Sequence, residues 1–171
     1  ANDASNAIAE YASGSISKFV VEMNEYLQRI GCKDTYFVDV HGHHHPKHIT
    51  TPYDMALLTR EGLKNPTFRK MVSTITYKRP DTNKQKGITM VQSNKLLRKS
   101  SPYYYSKAIG VKTGNGSGAR DTLVAAAEHD GRTLIAVLMN TEERKHNFED
   151  AKRLFEAAFS EKKVAKQLIV A

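Results

Sequence analysis

Lys112-Thr113-Gly114 is the stretch whose side chains most readily suggest chemistry. It lies within Gly110-Val111-Lys112-Thr113-Gly114-Asn115-Gly116-Ser117-Gly118, where recurring glycines leave the backbone uncovered. An ammonium, a hydroxyl and bare backbone N–H groups at one spot suit an anionic or carbonyl-bearing ligand, so the stretch reads as the floor of an active site. The glycine rhythm also raises nucleotide binding. A phosphate site needs a helix N-terminus after the loop, whereas β-type runs follow here, so that alternative is weak.

His41-Gly42-His43-His44-His45-Pro46-Lys47-His48 is the other unusual composition, with five histidines in eight residues. Loop histidines without cysteines, or carboxylates at fixed helical spacing, point to adventitious nickel or zinc binding rather than a dedicated metal site. The three tyrosines of Pro102-Tyr103-Tyr104-Tyr105 could line a groove or stack bases; a strand half-buried against a helix explains them equally well.

The elements that must position these residues follow from periodicity. Ile8, Tyr11 and Ala12 share one helical face, and Ser13-Gly14-Ser15 breaks it. Ser15 or Ser17 caps a second helix with Phe19, Val20, Met23, Tyr26, Leu27 and Ile30 as its core face, ended by Gly31. Thr35-Tyr36-Phe37-Val38 reads as a short β-type run. Thr51-Pro52-Tyr53-Asp54 starts a helix, with hydroxyl at N-cap, Pro at N1 and the Asp54 carboxylate facing the exposed N–H groups. Asn65-Pro66 repeats the device for a short helix through Val72. Strands are predicted around Ser73–Tyr77 and Gly87–Val91, flanking the polar, basic run Lys78–Lys86 as an exposed hairpin or loop. Ala108 and Ile109 lead into the glycine-rich strand, and Leu123–Ala127 and Leu134–Met139 form a hairpin about Asp130-Gly131. Phe148–Phe159 reads as an amphipathic helix with Ala151, Leu154, Phe155 and Ala158 inward, and 163–171 as a strand or a frayed end.

At 171 residues the chain fits one domain with a real core. A net charge of +8 favours anionic partners such as nucleic acid, a membrane surface or a wall polymer, although a solvated basic surface is the simpler explanation. Cys32 is alone, so it forms no intramolecular disulfide and is expected as a small buried hydrophobe. No apolar run approaches membrane-span length.

Several stretches in order resemble the D-alanyl-D-alanine carboxypeptidases, the low-molecular-weight penicillin-binding proteins. Lys112-Thr113-Gly114 matches that family's Lys-Thr-Gly motif. The resemblance extends to His41-Gly42, His48–Leu58, Phe68-Arg69-Lys70, Asn94-Lys95-Leu96-Leu97 and Ala151–Phe155, so it covers nearly the whole chain. It implies a serine nucleophile in a Ser-x-x-Lys motif and a second motif, Ser-x-Asn, whose last two residues match Ala1-Asn2. Ser15-Ile16-Ser17-Lys18 and Ser160-Glu161-Lys162-Lys163 fit the first pattern but stand in the wrong order, so an upstream segment is expected to carry the nucleophile. By the resemblance, Asn2 holds the substrate amide and orients the catalytic lysine, and Lys112 assists proton traffic. Thr113 hydrogen-bonds the terminal carboxylate of D-alanine, the peptide lies along the strand, Gly114 included, as an added edge strand, and the Asn115 N–H supplies half of an oxyanion hole. The family's bulky residue and Thr after Lys-Thr-Gly are replaced by Asn115-Gly116-Ser117, which predicts a looser loop. Its carboxylate-binding arginine is replaced by Asn147, with Arg144 or Lys145 as substitute.

The implied fold is α+β, transpeptidase-like, with an antiparallel sheet flanked by helices: a mainly helical part over 1–73 and a sheet part with closing helix over 74–171. The implied activity is trimming of peptidoglycan stem peptides through an acyl-enzyme, with β-lactams as inhibitors, no cofactor and no nucleic-acid partner, in the bacterial cell envelope outside the cytoplasm. The chain alone is expected to be inactive and to need the upstream segment for stability. A non-catalytic fragment or wall-binding module of the same fold is the alternative.

Overall fold

The computed structural model describes residues 2–161 and, for their backbone, 169–170. Helix α1 (Asn2–Ser13) turns at Gly14 into α2 (Ile16–Arg29), whose N-cap is Ser15, the Oγ accepting the Lys18 N–H at 3.2 Å. Ser15 is thereby a cap, not a nucleophile, and the Lys18 ammonium turns to Glu22. The shared face of Ile8, Tyr11 and Ala12 points outward, Ile8 64% and Tyr11 94% exposed, and α1 buries Ala9 instead. Of the expected core face of α2 only Leu27 is fully buried. It meets Cys32 and Leu57, with Ile30, Phe37 and Leu58 packed around them. Burial pushes the Cys32 thiol up, which leaves it inert.

Helix α3 (Pro52–Leu63) has Thr51 at its N-cap, the hydroxyl accepting the Asp54 N–H at 3.2 Å. The Asp54 carboxylate does not serve the helix start. It is buried, accepting the Asp34 N–H at 2.8 Å and the Thr35 hydroxyl at 2.7 Å, and so pins the incoming chain to α3. Among the described residues the β-type run Thr35–Val38 finds no partner strand and makes one antiparallel bridge, Tyr36 to Ile49. Helix α4 (Pro66–Ser73) follows, capped by Asn65. Among the described residues, strands β1 (Thr76–Arg79) and β2 (Ile88–Val91) pair only with each other, as an exposed hairpin.

The main sheet has the order β3 (Ala108–Gly116), β4 (Arg120–His129), β5 (Arg132–Thr141), β6 (Ile169–Val170); the first three are antiparallel and β6 runs parallel to β5. The rest of 163–171 lies outside the described residues. Asp130 (φ 49°) and Gly131 (φ 71°) form the β4–β5 turn, both in the left-handed region such a two-residue loop requires.

Helix α5 (Arg144–Ser160) lays Phe148, Ala151, Phe155 and Phe159 on Leu123, Ala125 and Ala127 of β4 and on Ala136 and Leu138 of β5. Small residues on the sheet let large rings from the helix close onto it. Alternation puts Ala126 and Val137 on the opposite face, where α3 packs on β4 and β5. Helices thus cover both faces of a largely antiparallel sheet, an α+β architecture. The tyrosine run is a turn, not a strand: Tyr103 packs on Phe148 with ring centroids 5.5 Å apart, and Tyr105 stacks on Phe155 at 5.9 Å. Among the described residues no helix is long and apolar enough to cross a membrane.

Candidate active site

Strand β3 is an edge of the four-stranded sheet, with its other side turned away from β4. Two glycines let it sit there. Gly110 has φ 144° and passes so close to α4 that a Cβ would lie 2.7 Å from the Val72 carbonyl. A Cβ on Gly114 would overlap the Thr122 hydroxyl on β4. Pairing continues through Asn115↔Asp121 and Gly116↔Arg120, so of the segment expected to be loose Asn115 and Gly116 are strand, and only Ser117 belongs to the turn over 117–119.

Alternation along β3 buries Val111 and Thr113 and exposes Lys112. The Lys112 ammonium donates to the Thr113 carbonyl at 2.5 Å. Although the residue is exposed, protein around the ammonium strips water from it, and Arg144 adds a like charge. Both lower the Lys112 pKa, desolvation the more. Replacing Arg144 by glutamine is therefore expected to move the Lys112 pKa back towards the ordinary lysine value without reaching it, as followed by NMR titration of the side chain; an unchanged midpoint would contradict this electrostatic contact.

The Thr113 hydroxyl lies 2.6 Å from that of Ser93. If Ser93 donates, Thr113 keeps its own proton for a ligand acceptor. Ser93 is fixed from both sides: Gln92 donates to the Val72 carbonyl at 3.0 Å, and Asn94 caps the short 3-10 turn Lys95–Leu97. Ser93 was not singled out from the sequence, although it directly precedes the recognised Asn94-Lys95-Leu96-Leu97.

Arg144 opens α5 and its Nε donates to Asp121 Oδ1 at 2.8 Å. The Arg144 bond is the main reason the Asp121 carboxyl is held below the usual carboxylate range, and a side-chain hydrogen bond from Asn115 also contributes. Lys145 instead pairs with Glu143 at 2.7 Å. Of the two candidate substitutes, Arg144 is thus the one beside β3. Asn147 is buried in the first turn of α5, and the Thr141 hydroxyl lies 2.7 Å from both its amide oxygen and the Asp121 carbonyl. One hydroxyl carries one proton. Turning the amide over lets Thr141 donate to the carbonyl while Asn147 donates to Thr141, which also gives the otherwise unpartnered buried Asn147 Nδ2 its acceptor.

Asn2 stands at the start of α1, its amide 3.0 Å from His43 Nε2; Ala1 lies outside the described residues. The next residue, His44, packs its ring on Gly118 at the β3–β4 turn, where a Cβ would overlap it. The histidine loop therefore touches both the helix start that carries Asn2 and the hairpin that carries Lys112 and Thr113. Asp39 anchors the loop by accepting N–H groups from His41 at 3.0 Å and Gly42 at 2.6 Å. Among the described residues no three His, Cys, Asp or Glu side chains are placed to hold a metal ion.

The family model described as Peptidase S11, D-alanyl-D-alanine carboxypeptidase, matches residues 1–143. The chain belongs to the D-alanyl-D-alanine carboxypeptidase family. It is 36% identical over 156 residues to the D-alanyl-D-alanine carboxypeptidase DacD of Escherichia coli K12, which covers 90% of this chain and 37% of that protein. It is 33% identical to DacF of Bacillus subtilis 168, covering 94% of the chain and 40% of the relative. The crystal structure of the Streptomyces K15 DD-transpeptidase superposes with a TM-score of 0.83 at 29% identity, over 93% of this chain and 63% of that one. This carboxypeptidase-family chain thus spans well under half the length of those two curated relatives. Residues 112–114, 93 and 121 all lie within the matched range, and all of α5, Arg144 included, lies outside it.

Proposed function

We propose that the protein containing this chain is a serine-type D-alanyl-D-alanine carboxypeptidase of the cell envelope, acting on peptidoglycan stem peptides and acylated by β-lactams. The observation that carries this is the edge position of β3, with the Lys112 ammonium, the Thr113 hydroxyl and the Arg144 guanidinium gathered along it. An extended peptide adds to such an edge as a further strand. Its C-terminal carboxylate meets Thr113 and Arg144, two donors suited to an anion. Asn2 supplies the amide that holds the penultimate peptide unit.

The nucleophile is a serine outside these 171 residues. Its oxygen attacks the carbonyl between the two D-alanines, and the developing oxyanion is held by the Asn115 N–H and by the serine's own N–H. The proton that leaves the serine hydroxyl passes to the lysine of the same Ser-x-x-Lys motif and from there to the leaving amine as the C–N bond breaks, and D-alanine departs. Water then attacks the acyl-serine and regenerates the hydroxyl. Lys112 stabilises negative charge across these steps while it is protonated. Because its pKa is depressed, that charge is lost as pH rises through a value below the ordinary lysine range, so the alkaline limb of acylation is expected at lower pH than an unperturbed lysine would give.

The test is a fluorescent penicillin applied to the full-length protein. A covalent label that survives denaturation and is blocked by unlabelled penicillin is expected. Failure to label would leave the non-catalytic, wall-binding alternative in its place. Intact mass of the 171-residue chain after the same exposure is expected to show no adduct.

A further inference from the structure

Asp121 is absent from the residues that sequence reasoning singles out, yet three strands and a helix converge on it. In register it faces Asn115 of β3 on one side and Thr141 of β5 on the other. The β4–β5 register slips between Asp121 and Leu123, and Asn140 takes φ 58°. Such a bulge bends a strand end, and here α5 begins just past the bulged end of β5. The Thr141 hydroxyl, backed by Asn147, fixes the Asp121 carbonyl, while the carboxylate takes Arg144 Nε at 2.8 Å and the Asn115 side chain.

The choice of nitrogen matters. A guanidinium has five N–H donors in a planar fork, and one held by Nε keeps its two terminal nitrogens for a second, bidentate acceptor. Arg144 also lies close enough to Lys112 to disfavour its charge. Without an anion between β3 and α5, these two cations repel, and a long side chain that is 45% exposed relaxes into solvent. An exposed ion pair adds little to stability, so what the pair contributes is placement.

We propose that Asp121 is a positioning residue that holds Arg144 at the carboxylate-binding end of β3 and so sets selectivity for peptides with a free C-terminal carboxylate. The proposal rests on the carboxypeptidase function given above. Asp121 touches no substrate and acts through Arg144. Its bond to Asn115 also steadies the residue whose N–H serves the oxyanion.

The experiment compares the full-length wild-type protein with Asp121→Asn, Asp121→Glu, Arg144→Gln and the double variant Asp121→Asn/Arg144→Gln. The substrates are a peptide ending in D-alanyl-D-alanine and the same peptide as its C-terminal amide. For the free acid, Asp121→Asn is expected to raise KM on the order of tenfold, the effect of one charge-assisted hydrogen bond, with kcat changed much less. The amide is expected to be nearly unaffected, Asp121→Glu to recover part of the loss, and the double variant to be no worse than Arg144→Gln alone. A wild-type preference for the acid in Asp121→Asn, or equal losses on both substrates, would overturn the proposal. Should Asp121→Asn fail to fold, Arg144→Gln carries the same comparison, and unchanged acid preference in it has the same meaning. Failure of the wild type to react with penicillin and with both peptides would remove the underlying function, a result distinct from active wild type with indifferent variants.

Discussion

Replacing Lys112 by alanine in the full-length protein is expected to slow acylation by penicillin on the order of 100- to 1000-fold, the cost of removing one preorganised stabiliser of developing negative charge. The fold should be indifferent. Lys112 is an exposed residue on an edge strand, and among the described residues its ammonium bonds to the next residue's carbonyl alone, so melting should shift within the small range of ordinary surface substitutions. Time courses of fluorescent penicillin labelling, with circular dichroism as the folding control, separate the two effects. Slow labelling of a normally folded protein is the expected result, and labelling at the wild-type rate would remove Lys112 from the chemistry. Arginine in its place keeps the charge but not the compact ammonium, so it should recover only part of the rate.

Phe155→Ala addresses the scaffold. Phe155 is 2% exposed, stacks on Tyr105 and meets Phe159 on the helix that closes the sheet. Truncation leaves a ring-sized cavity between α5 and β4–β5, where the alanines of the sheet cannot move in to fill it. A loss of about 3–5 kcal/mol is expected, read as a fall in Tm on the order of 10 °C. The effect reaches the site only through α5, which carries Arg144 at its start, so penicillin labelling well below the new Tm should survive. A variant that melts like the wild type would mean that α5 does not close the core as described.

The two expectations differ in how far they could be read from the chain alone. The Asp130-Gly131 turn and the Thr51-Pro52 and Asn65-Pro66 helix starts were legible because each depends on bonds within a few residues. The same holds for the inward face of α5, where the 3.6-residue period is unambiguous. The family motifs were legible as short words in a fixed order.

What stayed hidden depends on partners distant in sequence. The Ile8, Tyr11 and Ala12 face of α1 is helical as expected, but whether a face is buried is decided by what packs on it, and Ala9 is the residue that is covered. Thr35–Val38 has strand composition, yet among the described residues it makes a single bridge, Tyr36 to Ile49. Asp54 looks like a helix-start carboxylate and is taken by a segment twenty residues earlier. Asp121–Arg144, Ser93–Thr113 and Asn2–His43 span 23, 20 and 41 residues, and no spacing rule links them. The histidine loop illustrates the point: nothing in its composition names Asn2 and Gly118, the residues it touches.

The most direct measurement is a crystal structure of the full-length protein acylated by penicillin. It is predicted to show the drug on a serine upstream of residue 1, its carboxylate hydrogen-bonded to Thr113 Oγ1 and its carbonyl oxygen accepting the Asn115 N–H. A drug carboxylate that touches neither Thr113 nor Arg144, or an adduct remote from β3, would contradict the account.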